Sequence, residues 1–113
     1  MPLQKWSENI LVADLQNEPQ FSDDLNALSD MLEQGGKMDA VLNFAEVTYI
    51  NSSNIAKMLK LRKLVTSKGG RLVLCGVNTH VWGVILVTGL DKIFDFADDL
   101  LTGLAGLQMT EGR

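Results

Sequence analysis

Asp39-Ala40-Val41-Leu42-Asn43-Phe44, followed by Asn51-Ser52-Ser53-Asn54 and then by Gly69-Gly70-Arg71-Leu72-Val73-Leu74-Cys75, is the passage that decides the fold. The first six residues are apolar apart from Asp39 and Asn43, as in a largely buried strand. The Asn/Ser cluster is a helix start, because these side chains accept hydrogen bonds from the unpaired N–H groups of a first turn. The helix it opens runs to about Lys68, where Gly69-Gly70 stops it. Leu72–Cys75 is then a second buried strand. Strand, helix and strand joined by short connections form a parallel crossover unit, since the helix is long enough to carry the chain back across the sheet.

The same alternation extends outward in both directions. Towards the N-terminus, Phe21, Leu25, Leu28, Met31 and Leu32 fall at helical spacing, so the sequence predicts an amphipathic helix over residues 21–33, capped by Ser22, Asp23 and Asp24 and closed by Gly35-Gly36. Before it, Ile10-Leu11-Val12-Ala13 reads as a strand that ends at Asn17-Glu18-Pro19. Towards the C-terminus, Asn78 and Thr79 cap a third helix running to about Leu86 and ended by Gly89. Ile93-Phe94-Asp95-Phe96 is a short strand, and Asp98 begins a last helix. The expectation is an α/β fold: a small mixed or mainly parallel sheet of four to five strands, four of them legible, with about four helices. Val41, Leu42, Phe44, Leu72, Val73, Leu74 and Ile85 are expected in its core.

The chain has 113 residues, 46% of them apolar, which suits one domain over residues 1–113 with its core at about 10–107. A formal net charge of −4 gives no sequence-independent attraction to nucleic acid or to an anionic membrane. No apolar run reaches the roughly 20 residues of a membrane helix, the first residues lack the order of a secretory signal, and Cys75 is the single cysteine. A cytoplasmic location, without membrane insertion, is the expectation.

Catalysis finds few candidates. His80 is the single histidine, so a histidine metal cluster is impossible, and Cys75 with His80 would be the one thiol–imidazole pair. Cys75 at the end of a buried strand reads as a core thiol, and His80 as a surface residue. Asp14, Glu18, Asp23, Asp24, Asp98 and Asp99 sit at helix starts and loops, where the helix dipole accounts for them. No phosphate-cradling glycine motif is present. The expectation is no enzyme, no cofactor and no metal. Two readings of Asn51-Ser52-Ser53-Asn54 stay open: routine capping, or an anion-accepting site at a helix N-terminus. Likewise Lys57, Lys60, Arg62, Lys63 and Lys68, half of the ten basic residues, form either a docking surface or a solvated helix face.

Asn51-Ser52-Ser53-Asn54 is similar to the Asp-Ser-Ser/Thr-Gly signature that opens the second helix of the STAS domains, the family named for sulfate transporters and anti-sigma factor antagonists. The stretch from Arg71 to Asp99, with Gly89-Leu90-Asp91 before the last strand, also resembles that family, as does the element order. The resemblance implies an antagonist that binds a protein partner, a kinase-type anti-sigma factor, and is switched by serine phosphorylation. By position the phosphoacceptor is Ser53, with Ser52 the alternative. The implied partner contacts are Asn51, Ser52, Ser53, Asn54, Lys57 and Lys60, on a chain that is a monomer or weak homodimer. The chain departs from the pattern with Asn51 for aspartate, Asn54 for glycine, and Ala13-Asp14-Leu15-Gln16 for the usual glycine-glutamate-leucine-aspartate. A non-phosphorylated STAS docking or scaffold subunit of a larger assembly is therefore the alternative.

Overall fold

The structure is a computed structural model that describes residues 3–111; Met1, Pro2, Gly112 and Arg113, the outermost residues of the expected domain, lie outside it. Its elements in chain order are β1 (Leu3–Ser7), β2 (Ile10–Gln16), α1 (Gln20–Gln34), β3 (Asp39–Glu46), α2 (Ser52–Ser67), β4 (Leu72–Cys75), α3 (Thr79–Thr88), a 3-10 turn (Leu90–Lys92), β5 (Asp95–Ala97) and α4 (Leu100–Glu111). One sheet of five strands has the order β1-β2-β3-β4-β5. The β1/β2 pair is antiparallel, and β2 through β5 are parallel.

Alternation along the strands divides the core in two. Leu11, Ala13, Leu15, Ala40, Leu42, Phe44, Leu72 and Leu74 face the buried sides of α1, α2 and α3. Ile10, Val12, Val41, Val73 and Cys75 face the other way, against Leu104 and Leu107 of α4. Three helices on one face is what sequential parallel strands joined by crossovers of one hand require. All seven expected core residues are buried. Both sheet faces are covered, so the central strands are apolar on both sides, and this is why β3 and β4 read as continuous apolar runs.

Several expectations need correction. The strand β1 went unread because it is an edge hairpin arm whose Gln4, Lys5 and Trp6 are exposed, which leaves little apolar alternation to see. The last strand starts at Asp95 instead of Ile93: the N–H groups of Ile93 and Phe94 both bond to the Leu90 carbonyl, at 3.0 and 3.1 Å, which keeps them in the turn, with Phe94 buried and Ile93 exposed. Helix α1 has no side-chain cap from Ser22, Asp23 or Asp24; Pro19 is its N-cap residue, and the preceding Glu18 takes the Ser22 N–H instead. Helix α4 begins at Leu100, and Asp99 accepts the Thr102 N–H at 2.8 Å, so the capping carboxylate is one residue later than expected.

Two devices fasten the ends of neighbouring elements to one another. Lys68 Nζ donates to the carbonyls of Leu32, Glu33 and Gly35, each at 2.7 Å, so the end of α2 satisfies the orphan acceptors at the end of α1. At the entry to β4, a Cβ on Gly70 would lie 1.9 Å from the Met38 carbonyl oxygen, so only glycine lets the two backbones approach.

Candidate docking site

Three connections meet at the carboxyl ends of the parallel strands, the usual location of binding loops in such sheets. The segment between β3 and α2, residues 47–51, is held from both sides. Asn17, after β2, accepts the Thr48 N–H at 3.0 Å and donates to Thr48 Oγ1 at 2.9 Å. Asn78, after β4, donates to the Val47 carbonyl at 3.0 Å, while its Oδ1 caps α3 by accepting the Val81 N–H at 2.8 Å. Val47 and Ile50 are buried as anchors, and Tyr49 between them is exposed.

The first turn of α2 is organised by two asparagines. Asn51 is the N-cap residue in extended conformation, and its Oδ1 accepts the Asn54 N–H at 2.8 Å. Asn54 Oδ1 in turn accepts the Asn51 N–H at 3.0 Å, completing a reciprocal capping box. Asn54 Nδ2 then donates to Glu18 Oε2 at 3.0 Å. Asn54, one of the expected partner contacts, has 1 % of its surface exposed; its side chain faces inward and holds the turn.

Ser52 and Ser53 therefore do no capping. They are the first two residues of α2, both exposed, and among the described residues neither hydroxyl has a hydrogen-bond partner. Asn51 is exposed beside them. Lys57 and Lys60 follow Ser53 along the same side of α2, at helical spacing, and line a groove between α2 and α1 together with Leu25, Asp30, Glu33 and Leu64. The structure thus brings Asn51, Ser52 and Ser53 together at the helix start, with Lys57 and Lys60 continuing from Ser53 along the flank that borders α1. Of the other basic residues of α2 and its C-cap, Arg62 Nε donates to the Ile93 carbonyl at 2.9 Å and Lys68 is engaged by three carbonyls. Those two do structural work.

Glu18 is the site residue that sequence reading passed over as a dipole-favoured carboxylate. Its Oε1 accepts the Ser22 N–H at 2.7 Å, and its Oε2 accepts the Ser22 hydroxyl as well as Asn54. The Ser22 hydroxyl and N–H hold its carboxyl below the ordinary range, desolvation opposes them, and Asn54 and then Lys57 add to the lowering. The Asn-x-x-Asn spacing announced the capping box; nothing local announced a bond to a residue 36 positions earlier.

His80 is exposed in the first turn of α3, and Cys75 is buried at the end of β4. Burial, with Asp99 and Asp14 adding, pushes the Cys75 thiol up to about 11, so it carries no thiolate at neutral pH. Among the described residues, no three His, Cys, Asp or Glu side chains converge as a metal ion would need, and no helix is long and apolar enough to cross a membrane.

The family model of the STAS domain matches residues 14–102. An anti-sigma F factor antagonist from Paenibacillus polymyxa is 30% identical over 69 residues, a match that spans 61% of this chain and 59% of that relative's length. A solved Thermotoga maritima protein described as an anti-sigma factor antagonist superposes with a TM-score of 0.81 at 21% identity, over 95% of this chain and 93% of that one. An anti-sigma-factor antagonist (STAS) domain protein from Planctomyces limnophilus superposes with a TM-score of 0.78 at 14% identity, over 94% and 96%. These superpositions show a shared fold.

Proposed function

Because the chain belongs to the STAS domain family, we propose that it is an anti-sigma factor antagonist that docks a kinase-type anti-sigma factor through Ser52, Ser53 and the adjoining surface of α2, with Ser53 accepting the phosphate. The observation that carries this reading is the division of labour at the helix start. Asn51 and Asn54 form the capping box between them, yet two further hydroxyls stand exposed in the same turn with no part in it. Capping, the plainer account of this cluster, explains the asparagines and leaves the serines unexplained.

A phosphate on Ser53 would add about −1.5 to −2 charges at the positive end of α2, where the fold tolerates them. Within an interface the same charge must be desolvated, and unmatched it costs several kcal/mol. The unmodified chain would bind the anti-sigma factor and release the sigma factor; the modified chain would not. In this reading the chain is a cytoplasmic regulator of transcription, not an enzyme, acting as one unit over about 10–107.

A second reading is a STAS docking subunit that is never phosphorylated. Asn54 favours it: where the family signature has glycine, this chain has a buried side chain fastening the turn with two hydrogen bonds. Intact mass after incubation with a kinase-type anti-sigma factor and ATP separates the two. Gain of one phosphoryl group, lost in Ser53→Ala, supports the switch; stable binding with no mass change supports the constitutive subunit.

A further inference from the structure

We propose that Glu18 is the positioning residue of the serine turn: by joining the first turn of α1 to Asn54, its carboxylate fixes how Ser52 and Ser53 are presented. Whether that presentation matters for docking rests on the reading of the two serines given above; the positioning itself does not.

The argument follows from the valences of one amide. The Asn54 N–H and Oδ1 are both committed to Asn51, which leaves Nδ2 as its remaining polar group, and Nδ2 points at Glu18. Because Asn54 is 1 % exposed, removing the acceptor strands a buried amide donor. The side chain can recover solvation only by rotating outward. Oδ1 moves with Nδ2, so this rotation also releases the Asn51 N–H and dissolves the capping box on which the helical geometry of Ser52 and Ser53 depends. The carboxylate cannot follow the amide out, because Ser22 grips it through both its N–H and its hydroxyl. Among the described residues, this is the hydrogen bond by which the first turn of α2 reaches another element. The serine turn therefore takes its position from α1 as well as from its own helix.

The test uses the full chain labelled with nitrogen-15. In Glu18→Ala, the Ser52 and Ser53 amide resonances and the Asn54 side-chain amide should move, and exchange protection of the Asn51 N–H should fall about tenfold, the consequence of one lost hydrogen bond. Glu18→Gln keeps an acceptor oxygen at the same reach and should restore most of that protection. Ile85→Val, a core change on α3 with no tie to the turn, should leave all these signals in place and so controls for general destabilisation. Unmoved resonances in Glu18→Ala would overturn the positioning role. The functional half is read separately, as transfer of the γ-phosphoryl group from ATP to the Ser53 hydroxyl, ADP leaving, catalysed by a kinase-type anti-sigma factor: slower transfer to Glu18→Ala supports it, and an unchanged rate overturns it. Failure of the wild-type chain to accept phosphate or bind that kinase counts against the proposed function, while the resonance experiment still decides the role of Glu18.

Discussion

Gly76 stands so close to Asn43 that a Cβ on the glycine would lie 2.9 Å from Asn43 Oδ1. Asn43 cannot swing aside freely, since its Nδ2 donates to Asp14 at 2.9 Å and its Oδ1 accepts the Ala45 N–H at 3.1 Å. Gly76 also has φ +69°, in the left-handed region. The backbone conformation alone costs an alanine about 1–2 kcal/mol, and the contact adds to it. Gly76→Ala should lower the melting temperature by about 5–10 °C in a scanning calorimeter; an unchanged value would show that the β4–α3 connection relaxes at no cost.

Ser53→Ala should fold with stability within about 0.5 kcal/mol of wild type, because its hydroxyl has no partner to lose. Ser53→Asp should also keep its melting temperature, the added charge lying at the favourable end of α2. Titration calorimetry against the kinase-type anti-sigma factor should then separate the pair, with affinity retained in Ser53→Ala and lost by orders of magnitude in Ser53→Asp. Equal affinities would leave the constitutive docking subunit as the account of this chain.

Restoring the family signature with Asn51→Asp and Asn54→Gly should raise the rate of phosphate transfer to Ser53, measured by mass spectrometry over time. It should do so at the expense of stability. Asn54→Gly deletes a buried side chain with two side-chain hydrogen bonds and exposes the Asn51 N–H, a loss of roughly 1–3 kcal/mol. A double variant no faster than wild type would show that rigidity of the turn does not limit transfer.

Acid should weaken the fold partly through Glu18. Its carboxyl titrates below its ordinary value of 4.5 because Ser22 and Asn54 donate to the ionised form and Lys57 lies near. A lowered folded-state value means stability that is complete above the ordinary carboxylate range and is lost as pH falls through the folded value. Urea midpoints measured from about pH 6 to pH 3 should therefore drop less in Glu18→Gln than in wild type. Parallel curves would show that the carboxylate is no better bound in the folded chain than in the unfolded one.

Cys75 should resist iodoacetamide in the folded protein at neutral pH, being buried and pushed up to about 11, and should react at once in guanidinium. Rapid native-state labelling would reveal local opening at the end of β4.

The fold was legible because its central strands announce themselves. Val41, Leu42, Leu72 and Leu74 are buried between two helical layers, and each run is bracketed by a glycine pair or an asparagine cap. What escaped was decided by pairing and packing, which residue type does not announce. Trp6 and Lys5 form a strand only because β2 offers an edge to pair with, and Ile93 and Phe94 leave the last strand because both donate their N–H groups back to the Leu90 carbonyl. At the site, the position of Ser53 was readable from Asn51-Ser52-Ser53-Asn54. The inward turn of Asn54 was not, because it answers to Glu18, and Glu18 alone looks like any acidic residue before a helix. That Lys57 and Lys60 follow Ser53 along one side of α2 was readable from their spacing; that this side borders a groove against α1 was not.

The order β1-β2-β3-β4-β5 has a consequence for how the chain is made. No strand inserts between two others that precede it, so each one emerging from the ribosome meets an edge already formed by the strand before it. Synthesis at about 5–20 residues per second is slow beside hairpin formation and collapse, which take microseconds. The β1–β2 hairpin, laid down before the other strands, can wait as a template for β3, and β3 for β4. Helix α4, which follows all five strands, then closes over Ile10, Val12, Val41 and Val73, apolar residues left open until that moment. Nascent chains lacking α4 are thus the ones whose exposed sheet face would call on a chaperone.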